Sequence, residues 1–220
     1  MGEAIGQIMG NAVGVAISPV PIIAVILMLF SRSAARNSLA FMFGWLLGLI
    51  VAATIILAIG LDSSDTPSDA IGWLKIAIGA VFLFLGVKQW KGRPREGVEP
   101  EMPAWMASID DMAAGKAFGL GALLSGVNPK NLGLTIAAAA SISSAGLSGG
   151  DQAITVGVFV LIASITIIVP VVGYLIAGER VAPLLESMKG WLTQNNATVM
   201  TVLFVVLGAK VLGDGISVVA

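Results

Sequence analysis

The charged residues of this chain are gathered into short intervals, and that spacing limits what it can fold into. No charged side chain occurs between Glu3 and Arg32, or between Arg36 and Asp62. Further apolar stretches cover about Ile71 to Trp90, Lys116 to Ser144, Ala153 to Ala177 and Leu192 to Leu212, with a few lysines and no acidic residue inside them. A helix needs roughly 18–20 apolar residues to cross the hydrocarbon core of a bilayer. With the first two stretches at about Ile5–Phe30 and Leu39–Leu61, the chain reads as an all-α polytopic membrane protein of six transmembrane helices. Of its 220 residues 57% are apolar and 11% charged, which fits no other class.

Composition also removes chemistries. Without cysteine or histidine, the chain has no thiolate, imidazole metal ligand or imidazole proton shuttle. No metal site and no cofactor is expected. A net charge of −1 with no basic cluster gives no reason to expect nucleic acid as a partner. The only adjacent carboxylates, Asp110 and Asp111, fall in a hydrophilic stretch, so no enzyme is expected either.

Two of the spans are interrupted. In the fourth, Asn128-Pro129-Lys130-Asn131 sits inside apolar sequence, and in the first, Ser18-Pro19-Val20-Pro21 does the same. Proline removes a backbone donor and clashes with the preceding turn, so a continuous helix must break there. Proline is also favoured at the first position of a new helix, with serine or asparagine as the N-cap before it. Pro19, Pro21 and Pro129 therefore mark breaks between half-helices. Gln7, Asn11, Gly14 and Ser18 recur at helical spacing, so a polar stripe leads up to the first break. Lys130 falls in the first turn of a half-helix, beside the positive end of its dipole, where a cation calls for a negative partner. The substrate-site expectation is that Lys130, Asn128, Asn131, Ser18 and Asn11 receive an anionic group. A purely structural reading stands beside it: Lys130 snorkels or pairs with backbone carbonyls to hold the break open, Asn128 caps, and Asn131 makes a packing hydrogen bond.

Other features concern packing. Gly6, Gly10 and Gly14 form a small-residue face that admits close approach of another helix, and permits a homodimer. Gly72, Gly79 and Gly86 share one side of the third span and predict tight packing. Pro170 predicts a kink in the fifth span. Residues 91–115 open as a flexible linker, and Met102, Trp105, Met106, Ile109 and Met112 recur opposite Asp110 and Asp111, as in a short amphipathic helix at the membrane surface.

Loop charge sets the orientation. Arg32 and Arg36, then Lys88, Lys91, Arg93, Arg95 and Lys116, then Arg180 and Lys189 follow the first, third and fifth spans. Positive loops stay cytoplasmic, which leaves both termini outside. The halves also echo each other: Gly72-Trp-Leu74 matches Gly190-Trp-Leu192, and Leu85-Gly-Val-Lys88 matches Leu207-Gly-Ala-Lys210. Residues 1–90 then form one three-helix repeat, 91–115 a cytoplasmic linker with a surface helix, and 116–220 a second, inverted repeat. Inverted repeats with matching interrupted helices point to a transporter's central site.

Six spans, a Pro-x-Pro break in the first and Asn-Pro-Lys in the fourth resemble the lysine exporter (LysE) superfamily of small transporters. Within it, the Leu-Leu-Ser-Gly-Val-Asn-Pro-Lys-Asn-Leu run at Leu123–Leu132 is similar to the GAP, or sulfolipid-addressing (Sap), family of cell-envelope lipid exporters. The superfamily's first motif often reads Pro-Gly-Pro; here Val20 replaces the glycine, which points away from amino-acid export. The resemblance implies a bacterial plasma-membrane protein that exports an anionic or amphipathic (glyco)lipid, with a membrane lipid as partner. The alternatives are a small-solute exporter for amino acids or ions, and an accessory subunit of larger lipid-export machinery. No aspartate or glutamate lies within a span, which argues against proton coupling through a carboxylate.

Overall fold

The structure is a computed structural model, and it describes residues 1–59, 69–93 and 104–219. Most of the acidic loop after the second span and residues 94–103 of the linker, Met102 among them, lie outside the described residues. Within them every regular element is helical. In chain order these are α1 (Gly2–Ala16), α2 (Pro19–Leu29), α3 (Ala34–Ile59), α4 (Asp69–Lys91), α5 (Ala114–Gly126), α6 (Pro129–Ser144), α7 (Gly149–Ala163), α8 (Ile165–Ala177) and α9 (Ala182–Val219). Short 3₁₀ turns cover Ala104–Ser108 and Gly178–Val181. By length and composition, α3 and the helical stretch Ile165–Ser217 can each cross a membrane. The α1–α2 pair, bent by 55°, is a third candidate span.

Both proline motifs break the helix where their chemistry requires. Ser18 precedes a proline, which disfavours the helical region, and it adopts extended dihedrals (φ −125°, ψ 92°) before Pro19 starts α2. Asn128 does the same before Pro129 (φ −57°, ψ 123°) and caps α6, its side chain accepting from the Lys130 N–H. The fifth span breaks at a different place from the one expected. Pro170 lies inside α8, and the interruption falls at Ser164 (φ −107°, ψ −1°). The N–H groups of Ile167 and Ile168 both bond to the Ser164 carbonyl, so the helix restarts there. The restart places Thr166, whose carbonyl faces the Pro170 ring, in the first turn of α8, where the chain has just been released. In the stretch where a short surface helix is expected, the described residues form a 3₁₀ helix, Ala104–Ser108, with Met106 and Ile109 buried. A longer α-helix would carry Asp110 and Asp111 in its last turn, against the dipole.

The chain forms two compact units. The first comprises residues 1–62 and 102–190, and the second residues 63–101 and 191–220. In the first unit α3 and α5 run parallel through a glycine-lined contact. A Cβ on Gly44 would strike the Phe118 carbonyl, one on Gly121 the Phe41 carbonyl, and one on Gly126 would stand 2.9 Å from the Gly48 carbonyl. Phe41, Trp45 and Leu49 of α3 are fully buried. The two helix starts are tied by the Asn37 amide, which donates to the Met112 carbonyl at 2.7 Å. Helix α1 packs against α6 and α7, antiparallel to α6, and a Cβ on Gly14 would meet Leu134 at 3.0 Å. Among the described residues nothing lies within 4 Å of a Cβ on Gly6 or Gly10, whereas Gly14 serves close approach to α6.

The second unit pairs α4 with the C-terminal part of α9. The expected tight packing of the third span is found here. Gly215 abuts the Gly72 carbonyl, Gly208 the Gly79 carbonyl, and Gly86 lies against Val205 and Thr201. Positions rising by sevens on α4 meet positions falling by sevens on α9, so the helices are antiparallel. Phe82 and Phe204 meet across the middle with ring centroids 5.7 Å apart and ring planes tilted by 51°.

Glycine should therefore matter by position. Gly44→Ala is expected to lower stability in detergent by about 1–3 kcal/mol, because the methyl must displace backbone. Gly10→Ala should be neutral or stabilising by up to about 1 kcal/mol through helix propensity. Thermal unfolding followed by circular dichroism checks both signs.

Candidate functional site

The last turn of any helix leaves carbonyls without their usual donors. In α1 the proline motif decides which. Pro19 and Pro21 carry no N–H, so the carbonyls of Val15 and Ile17 lose the donors four residues on. The Ser18 N–H turns back to the Ala16 carbonyl at 2.9 Å, which leaves Gly14 without its partner as well. Three carbonyl groups at the negative end of a helix dipole must be satisfied by side chains.

They are. The Ser18 hydroxyl donates to the Val15 carbonyl at 2.8 Å. The Lys130 ammonium donates to the Gly14 carbonyl at 2.9 Å, to the Ile17 carbonyl at 2.9 Å and to the Ser18 hydroxyl at 2.6 Å. Lys130 is 5% exposed, and all three of its N–H groups are used. It belongs to the first turn of α6 but delivers its charge to the C-terminal end of α1. The unfavourable position beside its own helix dipole is thus offset by the favourable end of another. Hydrogen bonds to a charged group contribute about 1.5–3 kcal/mol each, which is the scale needed against the several kcal/mol lost on burying an ammonium. Among the described residues no carboxylate pairs with Lys130; the salt bridges join Lys189 to Glu186 and Lys210 to Asp214.

Asn131, fully buried, extends the contact. Its amide donates to the Leu124 carbonyl of α5 at 2.8 Å, and its Oδ1 lies 3.1 Å from the Ser18 hydroxyl. Gly14 and Leu124 each stand four residues before the N-cap of their break. One turn of α6 therefore grips equivalent carbonyls of both upstream half-helices. The arrangement is one-sided: Val20 and Pro21, which hold the places of Lys130 and Asn131 in α2, have no polar side-chain atom. Asn128 caps α6 through the Lys130 N–H at 3.1 Å. Between the N-cap and Ile22, Val20 is the only residue of α2 with an N–H to offer, since Pro19 and Pro21 have none.

Of the residues expected from sequence, the structure joins Lys130, Asn131 and Ser18 directly, with Asn128 supporting. Asn11 is buried one turn from Gly14 and makes none of the bonds that join the two breaks. Two residues were not anticipated. Thr166 donates to the Ala16 carbonyl at 2.7 Å, so α8 also holds the end of α1. Ser164, at the break before α8, is fully buried with a hydroxyl that has no partner among the described residues. The pair Ser164-Ile-Thr166 inside an apolar span was the available signal.

Residues 8–217 match the family model described as Sap, sulfolipid-1-addressing protein. No curated protein and no solved structure matches the chain. The matched range contains both breaks and every residue of the crossing between them.

Ser18 is the cheapest point at which to test that crossing. Ser18→Ala removes an acceptor from Lys130 and the donor to Val15, and should lower unfolding stability by about 1–3 kcal/mol. Ser144→Ala, at an exposed hydroxyl, should stay within about 0.5 kcal/mol of the parent. Denaturant titration of both variants makes the comparison.

Proposed function

The chain belongs to the Sap, sulfolipid-1-addressing protein family, and we propose that it exports an anionic or amphipathic cell-envelope lipid across the plasma membrane. The observation that carries this reading is the polar crossing of two broken helices, which places one buried cation and its hydrogen-bonding neighbours deep in an apolar bundle. Non-helical backbone is tolerated at membrane depth only where protein or a water-filled cavity surrounds it, and transporters use such breaks as substrate sites. Lys130 is the cation there, so the headgroup it suits is a sulfate, phosphate or carboxylate.

In this reading α1–α2, α3, α4, α5–α6, α7–α8 and the later part of α9 are six spans in two inverted repeats. Three features support it. The parallel run of α3 and α5 fits a second and a fourth span that start on the same side. Phe30 lies 5.7 Å from the Lys189 ammonium, which brings the ends of the first and fifth spans together; the Asn37–Met112 bond does the same for the starts of the second and fourth. These ends carry Arg32, Arg36, Lys116, Arg180 and Lys189, as a cytoplasmic face would. Finally, aligning Leu85-Gly-Val-Lys88 with Leu207-Gly-Ala-Lys210 also pairs Gly79 with Thr201, Phe82 with Phe204 and Leu83 with Val205. Gly86 packs on Thr201 and Val205, while Gly208 packs on Gly79 and Leu83, which is the exchange a pseudo-two-fold axis requires.

Proteoliposomes test the function. The protein should accelerate transfer of a sulfated glycolipid between leaflets, and should not move free amino acids. Lys130→Ala, at matched insertion, should lose at least about tenfold in rate, the equivalent of one charge-assisted hydrogen bond. Amino-acid efflux without lipid transfer, or a Lys130→Ala variant as fast as the parent, would overturn the proposal.

A further inference from the structure

An ammonium offers three donors, and in this structure all three are spent on the end of α1. A substrate anion therefore cannot simply enter beside Lys130. It has to take the place of the Gly14 and Ile17 carbonyls and the Ser18 hydroxyl. Resting on the lipid-export reading, we propose that the substrate's oxyanion and the carbonyl end of α1 compete for Lys130, so that headgroup binding is what unlocks α1 from α6.

The geometry sets the terms of that exchange. A terminal sulfate or phosphate ester presents several oxygens on one atom and can replace the whole acceptor set. An uncharged lipid offers no oxyanion, and a zwitterionic one offers only a phosphodiester that already has its own cation, so the buried ammonium stays where its charge is matched. Release of α1 is feasible because the contact at this point is polar and one-sided. Val20 and Pro21 give α2 no polar side-chain grip on α6; beyond the Lys130 bonds, α1 and α6 are joined by apolar packing that includes Leu134 against Gly14. Asn131 does not need to let go, because it holds α5 through the Leu124 carbonyl. The first turn of α6 therefore stays fixed to α5 while its grip on α1 is exchanged for substrate. Only the Gly14 and Ile17 carbonyls are set free at α1, because those of Val15 and Ala16 keep their donors in Ser18 and Thr166. A device of this kind links movement of one half-helix to the chemistry of the headgroup, without an acidic residue.

The cysteine-free sequence allows a direct test. Spin labels at Val13→Cys on α1 and Ile136→Cys on α6, both exposed positions, report the separation of the two helices in reconstituted vesicles. Phosphatidylcholine vesicles should give the latched distance. Adding a sulfated glycolipid should shift the distribution toward a longer one, and inorganic sulfate should do so at higher concentration if the anion alone is enough. Lys130→Met should show the longer distance without any anion, and no further response. Should Lys130→Met fail to fold, Ser18→Ala serves instead: with one acceptor removed, it should respond at lower glycolipid concentration than the parent. A parent distance unmoved by sulfated glycolipid that is nonetheless transported overturns the latch and leaves lipid export standing. Loss of both responses overturns the two together. A Lys130→Met variant that keeps the parent's response also overturns the latch.

Discussion

The placement of the Lys130 ammonium on the carbonyl end of α1 is the contact on which the rest of the arrangement depends. Two prolines in one short motif strip the donors from α1's last carbonyls, and a membrane interior offers no bulk water to replace them. A lysine from a distant break supplies what is missing. The cation in turn needs those carbonyls, because its own helix presents a positive end. Each half of the contact is costly alone and stable together, so the two broken helices are bound into one unit by polar bonds. Asn131 widens the tie to α5 through a carbonyl at the equivalent position.

Set against this polar crossing is a rigid frame. Helices α3 and α5 meet with glycine set against backbone carbonyls, and Phe41, Trp45 and Leu49 are buried behind that contact. Such an interface has little tolerance for movement, since interiors are close-packed and respond to any added volume. The second unit is built the same way, with small residues at seven-residue intervals on both α4 and α9. The molecule therefore combines close-packed glycine contacts with one hydrogen-bonded crossing. The export proposed above would need both: scaffolding that does not yield, and a contact that substrate chemistry can replace.

How much of this the sequence disclosed follows from where each interaction is encoded. The breaks were legible, because proline acts on its own turn and the N-caps Ser18 and Asn128 stand beside it. The packing of Gly72, Gly79 and Gly86 was legible from spacing alone. That Lys130 could pair with backbone carbonyls was among the readings of the sequence and is what the structure shows; which carbonyls was not legible, because they lie far away in the chain and only the fold brings them near. A sharper clue was present: Pro19 and Pro21 identify Val15 and Ile17 as carbonyls in need of donors. The kink expected at Pro170 appears at Ser164, since a helix that has just restarted can carry a proline that a longer one could not. Of the glycine face of α1, Gly14 meets a neighbour within the chain, and spacing alone could not say which of Gly6, Gly10 and Gly14 would. The amphipathic pattern over residues 102–112 was real in its burial of Met106 and Ile109 but too short, and too acidic at its end, for an α-helix.

The central claim is that α1 and α6 cross antiparallel at their breaks, with Lys130 on the end of α1. Cysteines introduced together at Gly14 and Leu134 test it most directly, since a Cβ at position 14 meets the Leu134 side chain at 3.0 Å. In native membranes under mild oxidation, the pair should form a disulfide readily, while a pair at Gly6 and Leu134 should not. Failure of the first pair to cross-link, or equal cross-linking of the second, would contradict the crossing and with it the account of the site.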